Sequence, residues 1–281
     1  MALWSNRHKN QYPITPLHKA SLLDVVTEPS HRTAGDMLTI GFAADPEVVR
    51  SYIPSPLEID PSGLCYLRVF DVCVFTDRNQ TDLLSPERYE FAEAFFWIPC
   101  TFEGELYHYM LFSWVNRDWL AYTGRTHGMP HKLAKVQMMR FHPADTVYYG
   151  PHAGVRLSFS VETVGLVMRG WVDLDHEVNR ESGELPLSLS QQTPKYLGQR
   201  FFWDAVADRP LVNDLVAHWG DERKFGPIWT GDAALTFHEA EGEEVLPFQP
   251  LRVIGGWWHT MSFHHSTSPP EIVLTFGEGS A

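Results

Sequence analysis

Amine chemistry is easy to locate in this chain, because only six of its 22 basic residues are lysines: Lys9, Lys19, Lys132, Lys135, Lys195 and Lys224. Lys132 follows a glycine- and proline-shaped stretch, Gly124-Arg125-Thr126-His127-Gly128-Met129-Pro130-His131, and has Met129, Leu133, Val136 and Met138 around it. A lysine held in apolar surroundings near other cations loses its preference for the charged form. Its neutral amine then attacks carbonyls to form a Schiff base. A lysine that merely lays its stem along an apolar segment has the same local sequence. Lys9 and Lys19 lie in a polar arm, Lys224 follows Asp-Glu-Arg, and Lys195 lacks an apolar frame. Lys135 is the one serious competitor.

Acid–base chemistry has a second candidate. In Phe91-Ala92-Glu93-Ala94-Phe95-Phe96-Trp97-Ile98 both faces are apolar, and Glu93 alternates in phase with Phe91, Phe95 and Trp97. A carboxyl there must be paired, hydrogen-bonded or partly protonated, unless the strand ends nearby and lets it reach water. Arg68 in Tyr66-Leu-Arg-Val-Phe70 is in phase with Tyr66, Phe70 and Val72 and wants a carboxylate or anion. Glu93 is one such partner.

Fourteen histidines raise the question of a metal. His127 and His131 are four apart, but Gly128 and Pro130 break the helix that would align them. His264 and His265 are adjacent on an expected strand and point to opposite faces. No metal is therefore expected. There is no GxGxxG, GxxxxGK[ST], HExxH or GxSxG, so no cofactor is implied either.

These residues need a scaffold. Alternation predicts strands at Met37–Phe42, Leu64–Phe75, Glu90–Ile98, Leu106–Val115, Val155–Val161, Leu166–Leu174, Ala233–Glu239, Leu251–His264 and Glu271–Phe276. Asp45-Pro46-Glu47 opens a short helix ending near Tyr52. A second helix is expected over Arg209–Trp219, with Asp208 as its cap and Gly220 as its stop. Asn116–Pro130 reads as a loop, and His131–Met139 as helix or strand. Residues 1–35 read as a polar arm on the body or on a neighbouring subunit, and 36–281 as a single domain. The fold class is α+β, mostly antiparallel β.

Composition narrows the function. With 22 Lys+Arg against 35 Asp+Glu the net charge is −13, which disfavours a nucleic-acid partner. No run reaches the roughly 20 apolar residues of a membrane span, and no signal-peptide stretch precedes the first charges. Three cysteines without CxxC spacing suit a reducing compartment. A cytoplasmic protein acting on a small molecule is expected.

The ordered elements Ile53-Pro54-Ser55-Pro56-Leu57-Glu58, then Glu93…Ile98-Pro99, then Gly124-Arg125…Pro130-His131-Lys132-Leu133, then Trp229-Thr230-Gly231 resemble acetoacetate decarboxylase, from about residue 35 onward. The resemblance implies an antiparallel β-barrel or cone with a few short helices around a pocket, a homo-oligomer, and a Schiff-base lysine acting on a keto acid. It also implies a catalytic place for Glu93. The family carries Tyr-Pro-Lys-Lys-Leu where this chain has Met129-Pro130-His131-Lys132-Leu133. Counted back from the leucine, His131 takes the nucleophile's place; counted forward from Gly124-Arg125, Lys132 takes it. The family's carboxylate-binding arginine aligns with Gly35, and a family glutamate is replaced by Arg68.

The leading expectation is thus a cofactor-independent carbon–carbon lyase, a decarboxylase or aldolase-dehydratase. Lys132 would be its nucleophile, with Glu93 and His131 moving protons and Arg68, Arg125 and Trp229 lining the substrate site. The rivals are an acid–base isomerase or hydrolase on the same fold without a Schiff base, and a non-catalytic binder of a hydrophobic carbonyl compound.

Overall fold

Long alternating segments with few helix caps leave the backbone to satisfy its hydrogen bonds between strands, and this chain does so in two sheets. The computed structural model describes residues 31–76, 86–179, 185–186, 189, 195–218, 220–265 and 270–276. In chain order they form β1 (His31–Ala43), α1 (Pro46–Tyr52), β2 (Glu58–Ile59), β3 (Leu64–Thr76) and α2 (Pro86–Tyr89). Next come β4 (Glu90–Phe102), β5 (Glu105–Val115), α3 (Asp118–Thr126), β6 (His131–Leu133) and β7 (Lys135–Met138). Then follow β8 (Arg156–Glu162), β9 (Leu166–Asp173), β10 (His176–Glu177), β11 (Lys195–Asp204) and β12 (Arg209–His218). The last are β13 (Gly220–Gly231), β14 (Ala233–Phe237), β15 (Arg252–His265) and β16 (Glu271–Thr275).

The large sheet runs β10-β13-β15-β1-β3-β4-β5-β11-β12-β16, with β2 on β4 and β6 on β5; the small one runs β14-β9-β8-β7. Most pairs are antiparallel, while β5 takes both β6 and β11 in parallel. Among the described residues the large sheet's path is open. Alternation divides its middle strands cleanly. One face (Leu38, Ile40, Phe42, Leu67, Val69, Ala94, Phe96, Trp114) packs with the small sheet's Leu157, Phe159, Val161 and Val172. Tilted contacts of Phe42 and Phe96 with Phe237 help to close that core. The opposite face forms a second cluster of Met37, Tyr66, Phe70, Phe91, Phe95, Trp97, Met110 and Met261. Glu93 and Arg68 belong to this second face.

A bulge interrupts β5. Phe96 pairs with Phe112 but Trp97 with Met110, so Leu111 is an extra residue.

Helix α1 is as expected, with Asp45 accepting from the Glu47 N–H. Two expectations are corrected. Arg209–Trp219 is not a helix: Arg209–His218 is strand β12, paired with β11 and β16. Asp208 sits at φ 52 in a hairpin turn, whose N–H groups at Val206 and Ala207 are satisfied by Asp204 instead. Trp219 lies outside the described residues. Asn116–Pro130 is not all loop, because α3 occupies its centre without a side-chain N-cap. Strands β11 and β13 were not foreseen. Of the expected arm, residues 31–35 belong to β1, and residues 1–30 lie outside the described residues. None of the described helices is long and apolar enough to cross a membrane.

Candidate active site

Strand β4 turns Glu93 onto the second face, where it is 8% exposed. Its Oε1 accepts a hydrogen bond from the Ser113 hydroxyl at 2.9 Å. His131 Nδ1 lies 2.7 Å from the same hydroxyl and 3.6 Å from Glu93 Oε1. Parallel pairing of β5 with β6 sets Ser113 against His131 and so makes this three-residue cluster. Burial raises the Glu93 carboxyl to about 7, partly offset by the Ser113 hydrogen bond. Burial lowers His131 to about 3, assisted by the charges of Arg125 and His127. A carboxyl pushed up beside an imidazole pushed down is not an ion pair; the arrangement favours neutral partners. With Ser113 donating to Glu93 Oε1, His131 donates from Nδ1 to Ser113. The other carboxyl oxygen, Oε2, is then the one left for proton transfer.

The Gly124-Arg125 motif acquires a physical reading here. A Cβ at residue 124 would overlap the His131 ring, so glycine alone lets α3 pack over it. Arg125 Nε donates to the His131 carbonyl at 3.2 Å. Arg125 is itself exposed. It therefore fixes the backbone of β6 and reaches the Glu93 cluster through His131, by this hydrogen bond and by its charge.

Lys132 goes the other way. Alternation along β6 sends it to the face of Trp114, against the first core. Its Nζ donates to Gly242 O at 3.0 Å and to Glu243 Oε2 at 3.2 Å, and Trp114 Nε1 donates to the same Glu243 oxygen at 3.1 Å. Glu243 is 4% exposed and Lys132 39% in their side chains. The structure thus brings Glu93 and His131 together and leaves Lys132 on the far side of the sheet. Lys135 pairs with Glu162 and Lys195 with Glu271, both on the surface, and Lys224 is exposed.

Arg68 is buried on the Glu93 face, but the two are not partners: its guanidinium lies 4.7 Å from the centre of the Trp97 ring. Burial and the nearby charge of Arg223 lower Arg68 to about 9. His108, stacked on Trp97 at 5.1 Å, is lowered to about 3 by burial and the same two arginines. Arg68 and His108 thus lie together at this end of the cluster, within reach of the Arg223 charge. Trp229 is not in it; it packs against the first core, opposite Trp258 and Glu177.

Five residues escaped the sequence reading, His108 among them. Ser113 sits unremarked in Leu111-Phe-Ser-Trp-Val115, and Arg223 in a charged run. Tyr196 stacks on Trp97 at 6.1 Å and on His218 at 5.1 Å, and His218 Nε2 donates to the His127 carbonyl at 2.5 Å. Burial, then the charge of Glu93, raises the Tyr196 phenol, so it stays protonated. Its hydroxyl makes no hydrogen bond with another described residue. Burial lowers His218 to about 4. Among the described residues no three His, Cys, Asp or Glu side chains converge as metal ligands.

A two-sheet, mainly antiparallel fold with a buried carboxyl and a buried arginine on the same aromatic face defines the architecture. Residues 11–271 match the family model described as acetoacetate decarboxylase, and the chain belongs to that family. An acetoacetate decarboxylase-like enzyme from Sphingomonas wittichii RW1 is similar in structure, with TM-score 0.81 and 22% identity over 92% of this chain and 98% of that one. The enduracididine biosynthesis enzyme MppR, complexed with the condensation product of pyruvate and imidazole 4-carboxaldehyde, gives 0.77 and 22% over 93% and 95%. Acetoacetate decarboxylase from Legionella pneumophila gives 0.71 and 12% over 88% of each chain. No curated protein matches in sequence.

Proposed function

We propose that this chain is an enzyme that enolises a carboxylate-bearing carbonyl compound by acid–base catalysis, without a lysine Schiff base. One observation carries the reading: β6 presents His131 to Glu93 and holds Lys132 against Glu243 on the opposite face. Glu93 Oε2 takes a proton from the carbon next to the carbonyl. The C–H electron pair forms the enolate, whose oxygen accepts a hydrogen bond from the neutral Tyr196 hydroxyl. The same carboxyl returns the proton to another atom of the enolate, and the sum is an isomerisation. A carboxyl near 7 suits both directions at neutral pH. Arg68, which lies over the Trp97 ring and feels the charge of Arg223, is the group proposed to meet the substrate's carboxylate. Three free cysteines support a reducing, cytoplasmic setting.

Lyase chemistry through Lys132 is the competing reading, favoured by the pyruvate-derived condensation product in MppR. Two measurements separate them. Pyruvate or acetoacetate is incubated with the enzyme in D2O, and loss of the protons next to the carbonyl is followed by NMR. In parallel the protein is treated with borohydride and its peptides weighed. The expected result is exchange that disappears in Glu93→Gln and no reduced adduct on the Lys132 peptide. An adduct lost in Lys132→Ala would replace this reading with the lyase. Tight binding of the compound without exchange or turnover would make the protein a binder.

A further inference from the structure

His218 takes no part in the proton transfers above, yet it touches both sides of the site. It ends β12 directly opposite Tyr196 on β11, and an antiparallel pair sets two such side chains next to each other. Their rings stack at 5.1 Å with only 10° between the planes. Trp97 covers the other side of Tyr196, at 6.1 Å and 18°. The phenol is thus the middle ring of three. No hydrogen bond to another described residue aims its hydroxyl, so the two flanking rings set its direction.

The far edge of the imidazole is tied as well. The His127 carbonyl has no proton to give, so the 2.5 Å contact makes His218 Nε2–H the donor. His127 ends α3, and Gly128-Met129-Pro130 lead from it straight into His131. This turn lies on the root of the β11–β12 ribbon, backbone against backbone. A Cβ on Gly198 would overlap the Gly128 carbonyl oxygen, and Gly128 itself has φ 81. Two glycines therefore admit the turn, and the His218 side chain spans the contact. On one side of it stands Tyr196; on the other, four residues past His127, stands His131 with Ser113 and Glu93. Strand pairing does little to set their separation, since β6 is three residues long and β11 meets β5 only over Lys195–Leu197.

We propose that His218 is a positioning residue, which holds the Tyr196 hydroxyl in place relative to the Glu93–Ser113–His131 cluster through its hydrogen bond to the His127 carbonyl. On the enolisation reading, on which this rests, that hydroxyl meets the enolate oxygen while Glu93 moves the proton. A misplacement of about 1 Å between such groups costs up to about 10²-fold in rate. Proton exchange of pyruvate in D2O, measured over a range of pyruvate concentrations, is the test. His218→Phe keeps a ring on Tyr196 and loses the donor. Its kcat should fall about tenfold with KM within about twofold, because His218 acts on Tyr196 rather than on the substrate. His218→Gln returns an N–H to the carbonyl and should recover kcat to within about threefold of wild type. Added to Tyr196→Phe, which has no hydroxyl to aim, His218→Phe should cost nothing further. A rise in KM in place of the fall in kcat overturns the inference. So does a glutamine variant no faster than the phenylalanine one, or an equal loss with and without the Tyr196 hydroxyl. Exchange that Glu93→Gln abolishes and His218→Phe leaves intact overturns it while the enolisation reading stands; a wild type without exchange overturns both.

Discussion

Glu93→Gln separates the carboxyl's charge from its shape. The folded chain holds the Glu93 proton up to about 7, whereas an ordinary glutamate releases it near 4.5. Between those values the folded state binds more protons than the unfolded one, so stability is lost as pH rises through the interval. The loss is on the order of 3 kcal/mol by pH 8. A glutamine cannot ionise and escapes it. Urea titrations should therefore show the variant gaining on wild type from pH 5 to pH 8, while exchange at the substrate carbon falls roughly 10²- to 10⁴-fold. A stability difference independent of pH would mean the carboxyl is not held neutral. Gly124→Ala tests the neighbouring contact: the new methyl overlaps the His131 ring, costing about 1–3 kcal/mol in urea unfolding and slowing exchange by displacing the cluster. Unchanged stability would show that α3 moves freely. Glu93 was legible because alternation in an apolar strand shows which way a carboxyl points. Ser113 and Tyr196 were not, since their importance comes from strands that meet Glu93 only in three dimensions.

Elements explain why Lys132 lies apart from Glu93 and His131. Period two along β6 makes His131 and Lys132 mutually exclusive choices for one face, and Ser113 and Glu93 take the histidine. The Lys132–Glu243–Trp114 contact instead ties the large sheet to the segment before β15. Lys132→Ala should cost about 1–3 kcal/mol in chemical unfolding, because buried Glu243 loses its cation. Exchange at the substrate carbon should change by no more than a few-fold. Complete loss of exchange in a folded variant would return the lysine to the chemistry. The same scale accounts for two misread segments. Asp208-Arg-Pro looks like a helix start, yet a turn whose N–H groups go to Asp204 makes it the end of a hairpin. Helix α3 lacks a capping side chain and contains Gly124, so little in its local sequence announces it. Its packing over His131 helps to hold it in place. The nine expected strands, by contrast, all exist, since each carries its own alternation, although β1 starts six residues earlier and β4 ends four residues later than expected.

For the whole molecule, three largely buried histidines set the acid limit. His108, His131 and His218 are held to about 3, 3 and 4, against 6.5 in an unfolded chain. The folded state then binds fewer protons than the unfolded one below 6.5, and stability falls as pH drops through that value. By pH 5 each contributes a loss on the order of 2 kcal/mol, which together outweigh the opposing gain from Glu93. The urea midpoint should therefore be lower at pH 5 than at pH 7. A midpoint that stays level or rises would show that these imidazoles reach water.

The extra residue in β5 has a consequence for how this face can change. Near Glu93 it is written in odd numbers, Ser113 and Val115; past Leu111 it is written in even ones, Met110 and His108. One extra residue therefore puts Ser113, beside Glu93, and His108, beside Arg68, on the same wall, and leaves each end free to drift without the other. A relative lacking that residue would present the opposite side chains over half the strand. Aligned letter by letter, it would pair residues that never occupy the same space.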